Sequence, residues 1–330
     1  MKNLLDYALK EKYELVKKLK PRLEEVKDIL DWKAVEEVFQ AQDSKRGRPA
    51  YDRTLMSKLL LLQSWYGISD QELEYQVLDR LSFQQFLDYP ETVPDYSTVW
   101  RFREELQNEG IIDAFWSELN RQIESKGFDV EKGHIQDARF VQAPPGKKNK
   151  GMRGRGREAK TSRSKDGTWT KKNNKSYFGF KCHVKVGLET KLIKEVAGTT
   201  ASAHDNEIDL LEEDEIGYRD KAYTGVKSKA KGNGSMKRGN LSPREELRNK
   251  RISKKRCRGE HPFGTMFLSM HAGYTRLTTN GRVFVQQVFI CAAYNLLRLK
   301  FLLRSSVSHN WLWEKRKKTR KNERKKPLRF

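Results

Sequence analysis

Cysteine is scarce: Cys182, Cys257 and Cys291 are the only three in 330 residues. They form no CxxC pair and leave one over, which argues against a disulfide framework and against a zinc knuckle. Long apolar runs are missing too. The longest uncharged stretch, 283–297, contains Gln286, Gln287 and Asn295, falls short of the ~20 apolar residues that span a bilayer, and reads as a buried helix. The start Met1-Lys2-Asn3-Leu4-Leu5-Asp6 has no apolar core of a signal peptide, so a cytoplasmic protein without a membrane partner is expected. Negative charge is in deficit, with 44 Asp+Glu against 67 Lys+Arg and a net charge of +23. A membrane surface could attract such charge, but nucleic acid is the leading polyanionic partner.

The length exceeds a typical single core, so two lobes are expected. Residues 1–128 read as helical. Leu4 to Leu19 and Leu23 to Leu30 carry apolar residues at three and four spacing, with Pro21 placed to open the second helix. Leu55, Leu59, Leu62 and Tyr66 mark an apolar helix that Gly67 can end, and Ser69-Asp70-Gln71-Glu72 is a capping box for the next. The pair resembles a helix-turn-helix, yet its second helix sets Asp70, Glu72, Glu74 and Asp79 against Arg80 alone, which suits phosphates badly. Its role is read as structural. A better DNA-facing candidate is 97–107, where Val99, Phe102 and Leu106 form the inward stripe and Trp100, Arg101 and Arg103 lie largely on other faces. A solvated face is the alternative. Ile112, Phe115, Trp116, Leu119 and Ile123 make one more amphipathic helix, closed by Gly127.

From Gly133 the pattern changes to a strand, bounded by that glycine and by Pro144-Pro145. Ile135, Asp137, Arg139 and Val141 share one face under the two-residue period, so Asp137 lies among apolar neighbours, where an unpartnered carboxylate is costly. A salt bridge to Arg139 or to a distant base is the plain explanation. Residues 144–175 form a long basic loop rich in Lys, Arg and Gly, read as an arm that orders on a nucleic-acid backbone, with Lys171 and Lys172 on phosphates and Trp169 placed to stack on a base. Residues 176–186 and 192–200 read as a β-hairpin, and 206–215 as an acidic amphipathic helix. The stretch 216–225 is a short strand ending at Asp220. Ser242-Pro243-Arg244-Glu245 is a capping box with proline at the first helical position. It opens a basic helix running toward Glu260, which Pro262 should end or kink. A largely apolar helix, 283–303, follows. The last residues, 306–330, form a basic tail expected to be disordered by self-repulsion.

Three carboxylates thus stand out: Asp137 in a strand, Asp220 at a strand end and Glu260 on a late helix, 83 and 40 residues apart. Held together, they could bind two divalent cations about 4 Å apart, which would stabilise the attacking and leaving oxygens of an in-line phosphoryl displacement. Oxygen ligands favour magnesium, with manganese a possible substitute. Strand, strand end, helix is the order that a ribonuclease H-like core supplies, and the basic surroundings would neutralise a DNA backbone.

At these residues the sequence resembles the DDE transposases of insertion sequences, in particular the group named after insertion sequence five, over roughly residues 45–300. The family's helical module resembles Arg48-Pro49 through Pro94-Asp95-Tyr96-Ser97-Thr98-Val99-Trp100-Arg101-Phe102-Arg103. Its first acidic motif resembles Asp137-Ala138 with Ala143-Pro144, and its strand motif resembles Tyr177-Phe178-Gly179-Phe180-Lys181-Cys182-His183. The second acidic motif corresponds to Arg219-Asp220-Lys221-Ala222-Tyr223, with Ala222 where glycine is usual. The third corresponds to Arg256-Cys257-Arg258-Gly259-Glu260-His261-Pro262-Phe263-Gly264. Of three residues that surround the helical glutamate in related enzymes, this chain keeps Arg256 but has Ser253 and Phe267 at the others. A DNA-positioning role could therefore fall to Arg258, Lys255 or Arg276. His204-Asp205 also resembles a recurring motif, with Asp205 a weaker ligand candidate.

The resemblance implies an α+β architecture: a helical N-terminal DNA-binding and assembly domain (1–128), a ribonuclease H-like mixed-sheet catalytic domain (129–305), then the tail. It implies a transposase with catalytic, metal-binding Asp137, Asp220 and Glu260 and two Mg2+ ions. Water would cut at the element's ends, and the freed 3′-hydroxyl would attack target DNA. Trp100, Arg101, Arg103, Trp169, Lys171, Lys172, Lys181, Arg256 and Arg258 are the expected DNA contacts. Double-stranded DNA (inverted-repeat ends and target) and further copies of the chain, as a homodimer or larger assembly on DNA, are the expected partners, in the cytoplasm at the nucleoid. A catalytically silent DNA-binding descendant, or a metal-dependent nuclease without joining activity, are the alternatives.

Overall fold

A computed structural model describes residues 4–19, 22–40, 51–108, 110–128, 133–146, 166–172, 174–228, 230 and 232–323. The first part is helical: α1 (Leu4–Leu19), α2 (Arg22–Lys27), α3 (Trp32–Gln40), α4 (Arg53–Tyr66), α5 (Asp70–Asp79), α6 (Leu81–Phe86), α7 (Tyr96–Asn108) and α8 (Ile111–Glu124). Local chemistry sets several ends. The Asp52 carboxylate accepts from the Thr54 and Leu55 amides at the start of α4, and Gly67 closes that helix in the left-handed conformation. Ser69 caps α5 by accepting from the Glu72 amide, but Glu72 Oε1 takes the Gln76 side chain instead of reaching back, so only half of the expected capping box forms.

A mixed sheet follows, from β1 (His134–Gln142), β2 (Thr168–Lys172), β3 (Lys175–Gly187), β4 (Ile193–Thr200), β5 (Ile216–Arg219) and β6 (Gly232–Ser235). β1 runs antiparallel to β3 and parallel to β5, β5 runs parallel to β6, and the far edge of β3 pairs with β4 and then β2. Gly179 explains the tight β1–β3 join. It has φ near +153°, and a Cβ there would lie 2.1 Å from the Val141 carbonyl oxygen, so no side chain fits. Helices α9 (Pro243–Arg256), α10 (Glu260–Ser269) and α11 (Asn280–Glu323) complete the fold.

Instead of two separate cores, helices and sheet share one, joined by α11. Phe39 of α3 stacks on Phe115 of α8 at 6.2 Å, and Phe115 stacks on Phe289 of α11 at 4.9 Å. The Trp65 indole of α4 donates to the Ala293 carbonyl at 2.7 Å. On the sheet side, fully buried Asn295 accepts from the Ile193 amide at 2.8 Å and donates to its carbonyl at 2.7 Å. Burial of that amide is tolerable because both its ends are satisfied.

Several expectations fail locally. The predicted basic loop is interrupted by β2, an edge strand on β3, while residues 147–165 of it lie outside the described ones. Residues 206–215 are not a helix. Only a short 3₁₀ turn, Asp205–Glu207, forms, after which the Gln136 side chain donates to the Ile208 carbonyl at 2.7 Å and accepts from the Leu210 amide at 3.3 Å, holding the segment open. The basic helix stops at Arg256. A 3₁₀ turn, Cys257–Gly259, separates it from α10, so the break precedes Pro262, which sits in the first turn of α10, where its missing N–H costs nothing. The backbone of 306–323, expected to be disordered, continues α11 to Glu323, in keeping with the helix propensity of Lys, Arg and Glu. No described helix is long and apolar enough to cross a membrane.

Candidate active site

The register of β1 and β5 sets the site. Ile135 pairs with Tyr218 in the parallel ladder, so Asp137 and Asp220, each two residues further on, reach the same level on the same face. Asp220 remains extended and caps a 3₁₀ turn, Lys221–Tyr223, by accepting from the Ala222 amide at 2.7 Å. Asp137 is held on the strand, where its Oδ1 accepts from the Ala138 amide at 2.9 Å. The α9–α10 junction covers this face: Lys255 lies over the Tyr218 ring, and a Cβ at Gly259 would stand 2.8 Å from the Ile135 side chain. Arg256 of α9 reaches Asp137, Nη2 to Oδ2 at 3.2 Å. Burial pushes the Asp137 carboxyl above its ordinary value. The guanidinium groups of Arg256 and Arg139 pull it back, and the charge of Asp220 adds to the rise. The plain salt-bridge explanation of Asp137 therefore holds in part: it has a cationic partner, but not enough to offset its desolvation.

The opposite face of the sheet carries paired polar side chains. Lys181 of β3 donates to the Ala203 carbonyl at 2.6 Å and pairs with Asp205 at 2.8 Å. His183, two residues along, is fully buried, with Nε2 on the Thr199 hydroxyl at 2.8 Å. Burial first and Lys181 second bring it down to about 4 against the opposing charge of Asp205, so its ring is neutral at physiological pH. Arg219, also fully buried, pairs with Asp209 and lies 5.7 Å from the Tyr223 ring. Tyr223 is fully buried, and its hydroxyl has no hydrogen-bond partner among the described residues. Its phenol is pushed up by burial, then by the charges of Asp205, Asp137 and Asp220. His183, Arg219 and Tyr223 were in the recognised motifs, but only their zero exposure beside these carboxylates singles them out.

Glu260 stands apart. It is the first residue of α10 and is exposed. Residues four apart share a helix face, yet three residues of 3₁₀ winding add about 60° of rotation relative to an α-helix. Glu260 follows that turn and is exposed, while Arg256 before it meets Asp137. Asp137 and Asp220 suit a hard divalent cation, being two carboxylates on one face, one of them desolvated. Among the described residues, however, no three His, Cys, Asp or Glu side chains converge on a common metal position.

The expected DNA contacts divide as well. Arg101, Lys171, Lys172 and Arg258 are exposed, although Arg258 Nη1 also lies 3.5 Å from the Leu188 carbonyl oxygen. Trp100 is 41% exposed, with Arg282 stacked over its ring at 5.3 Å. Arg103 is engaged within the fold: at 4% exposure it pairs with Asp70 at 2.7 Å and donates to Gln63 at 2.9 Å, tying α7 to α4 and α5. Trp169 is half-buried, and its ring packs 5.2 Å from Phe178 as a cross-strand pair. Lys181 and Arg256 are engaged by Asp205 and Asp137.

The family model for a transposase domain matches residues 10–105, from α1 into α7. The family model for the transposase DDE domain matches residues 131–296, which is half of the chain and takes in all six described strands. No solved structure matches. Because the second match spans the sheet and both strand-borne acids, the mixed sheet is the ribonuclease H-like part of that family's fold, and the chain belongs to the DDE transposases.

Proposed function

We propose that this transposase cuts DNA at the ends of an insertion sequence and joins the freed 3′-hydroxyl to target DNA, within the group named after insertion sequence five. Asp137, Asp220 and Glu260 form the centre. The observation that carries the reading is the Asp137–Asp220 pair: a desolvated carboxylate beside a second one, on a rigid parallel register, with a cation already drawn in as Arg256. Such a pair is expensive for a fold and is kept where chemistry needs it. Divalent ions, magnesium foremost, would be held by Asp137 and Asp220 with Glu260 completing the set, and supply charge to the attacking and leaving oxygens.

The chain's own residues do the positioning. Asp137 is fixed by β1 and by the Ala138 amide, Asp220 by its cap on the following turn. Arg256, on leaving Asp137, would take a DNA phosphate beside the site. Arg101, Lys171, Lys172 and Arg258 supply phosphate contacts that set register without reading sequence. Double-stranded inverted-repeat ends and target DNA are the substrates, bound by a dimer or larger assembly.

A second reading, a DNA-binding protein without catalysis, is favoured by one observation: among the described residues no third acidic, His or Cys side chain joins Asp137 and Asp220 at a common metal position. Sequencing the DNA that flanks the reading frame tests both readings' shared premise, since matched inverted repeats supply the substrate. Labelled end DNA incubated with a supercoiled plasmid then separates them. Joined product supports the transposase, cutting without joining supports a nuclease, and binding alone supports the silent protein.

A further inference from the structure

Tyr223 is the buried titratable group that the chemistry above leaves unused. It closes the 3₁₀ turn that Asp220 caps, its amide lies 3.4 Å from the Asp220 carbonyl, and its side chain has no exposure. The turn Asp205–Glu207 packs against this one. A buried hydroxyl without a partner costs about 1–3 kcal/mol, and native structures seldom leave one so unless a ligand or an ordered water completes it. The charges that act on it are those of Asp205, whose Oδ1 is already held by Lys181, and of the pair Asp137 and Asp220. Arg219, stacked against the ring, has two guanidinium nitrogens that are likewise buried and unpartnered among the described residues.

We propose that Tyr223 is a positioning residue of the metal centre, its buried hydroxyl tying the Asp205 turn to the turn that presents Asp220. The proposal rests on the assignment of Asp137 and Asp220 as metal ligands. The aromatic ring anchors the turn by packing, and the hydroxyl fixes its rotation, so that the Asp220 carboxylate meets the cation already aligned. Partners one step behind a metal's ligands set affinity by tens of fold without touching the metal.

The test uses the full chain and manganese alone, read by electron paramagnetic resonance, together with end-DNA affinity and thermal unfolding. Tyr223→Phe keeps the ring and removes only the hydroxyl. The expected result is a roughly tenfold or greater loss of Mn2+ affinity with end-DNA affinity unchanged and no loss of thermal stability, since the hydroxyl removed has no partner among the described residues. Asp205→Asn should weaken Mn2+ to a similar degree, and the double variant should be no weaker than either single one, because both break one link. Should Tyr223→Phe fail to fold, the Asp205→Asn affinity decides alone. Wild-type Mn2+ affinity in the readable variant, or losses that simply add, would overturn the proposal. Asp137→Asn is the control. If it binds Mn2+ as wild type does, the ligand assignment is what fails; if it loses Mn2+ while Tyr223→Phe does not, only the role of Tyr223 fails.

Discussion

Asp137→Asn should abolish cleavage and at the same time stabilise the fold. The carboxylate lies on β1 with 14% of its side chain exposed, and burial outweighs the help it receives from Arg256 and Arg139. Its folded-state pKa is therefore above the unfolded value near 3.9, and the ionised form is penalised by folding. Asparagine keeps the shape and removes that penalty, while Arg256, with 21% of its side chain exposed, can turn to water. Relief of this kind is worth about 1 kcal/mol, which corresponds to a rise in Tm of roughly 2 °C for a chain of this size. The sign fixes the pH dependence. The gap between variant and wild type should be widest above the folded pKa and close as pH falls through it toward the unfolded value, where both side chains are neutral. Calorimetry at neutral and acid pH, with end-DNA affinity as control, measures it. A variant less stable than wild type at neutral pH would show that the Arg256 contact outweighs desolvation, and the reasoning would fail.

Asp220→Asn and Glu260→Gln should each remove cleavage and leave end binding nearly intact, and retained cleavage in either would take that residue out of the centre. Arg103→Ala should cost about 3 kcal/mol of stability with little change in DNA affinity, whereas Arg101→Ala should weaken DNA with little change in stability. Burial alone would raise the Asp70 carboxyl, but its hydrogen bond and ion pair with Arg103 bring it below its ordinary value, so the Arg103 contribution is present at neutral pH and fades as pH falls through the folded pKa. A loss of DNA affinity for Arg103→Ala without destabilisation would restore it as a DNA contact. Deleting 315–330 removes ten Lys and Arg against Glu323 and should weaken end and random DNA alike while flattening the salt dependence, each lost phosphate contact taking roughly 0.9 from the slope. Loss confined to end DNA would mean that the tail reads sequence.

What the sequence disclosed was local chemistry and periodicity. The Ser242 capping box forms with both its bonds, the stripe Val99, Phe102 and Leu106 is buried, and Asp137 sits in a central strand whose Ile135 and Val141 are buried as expected, although Gln136 on the other face is buried too. What it concealed depends on partners distant in the chain. The helical pattern of 206–215 loses to Gln136 and to the Arg219–Asp209 ion pair, contacts that propensity cannot anticipate. Arg103 looks like any surface arginine until Asp70, 33 residues away, is folded against it. The strand β6 has too few apolar residues to announce itself. The 3₁₀ turn between the basic helix and Glu260 is a break that no motif encodes.

The most direct test of the central claim supplies pre-cut end DNA, with its 3′-hydroxyl already free, to the wild type and to Asp137→Asn beside a supercoiled target. Wild type in magnesium should give joined products, and both the variant and the wild type in chelator should give none while still binding the ends. Joined products from Asp137→Asn, or from wild type in chelator, would contradict a metal-dependent centre built on Asp137.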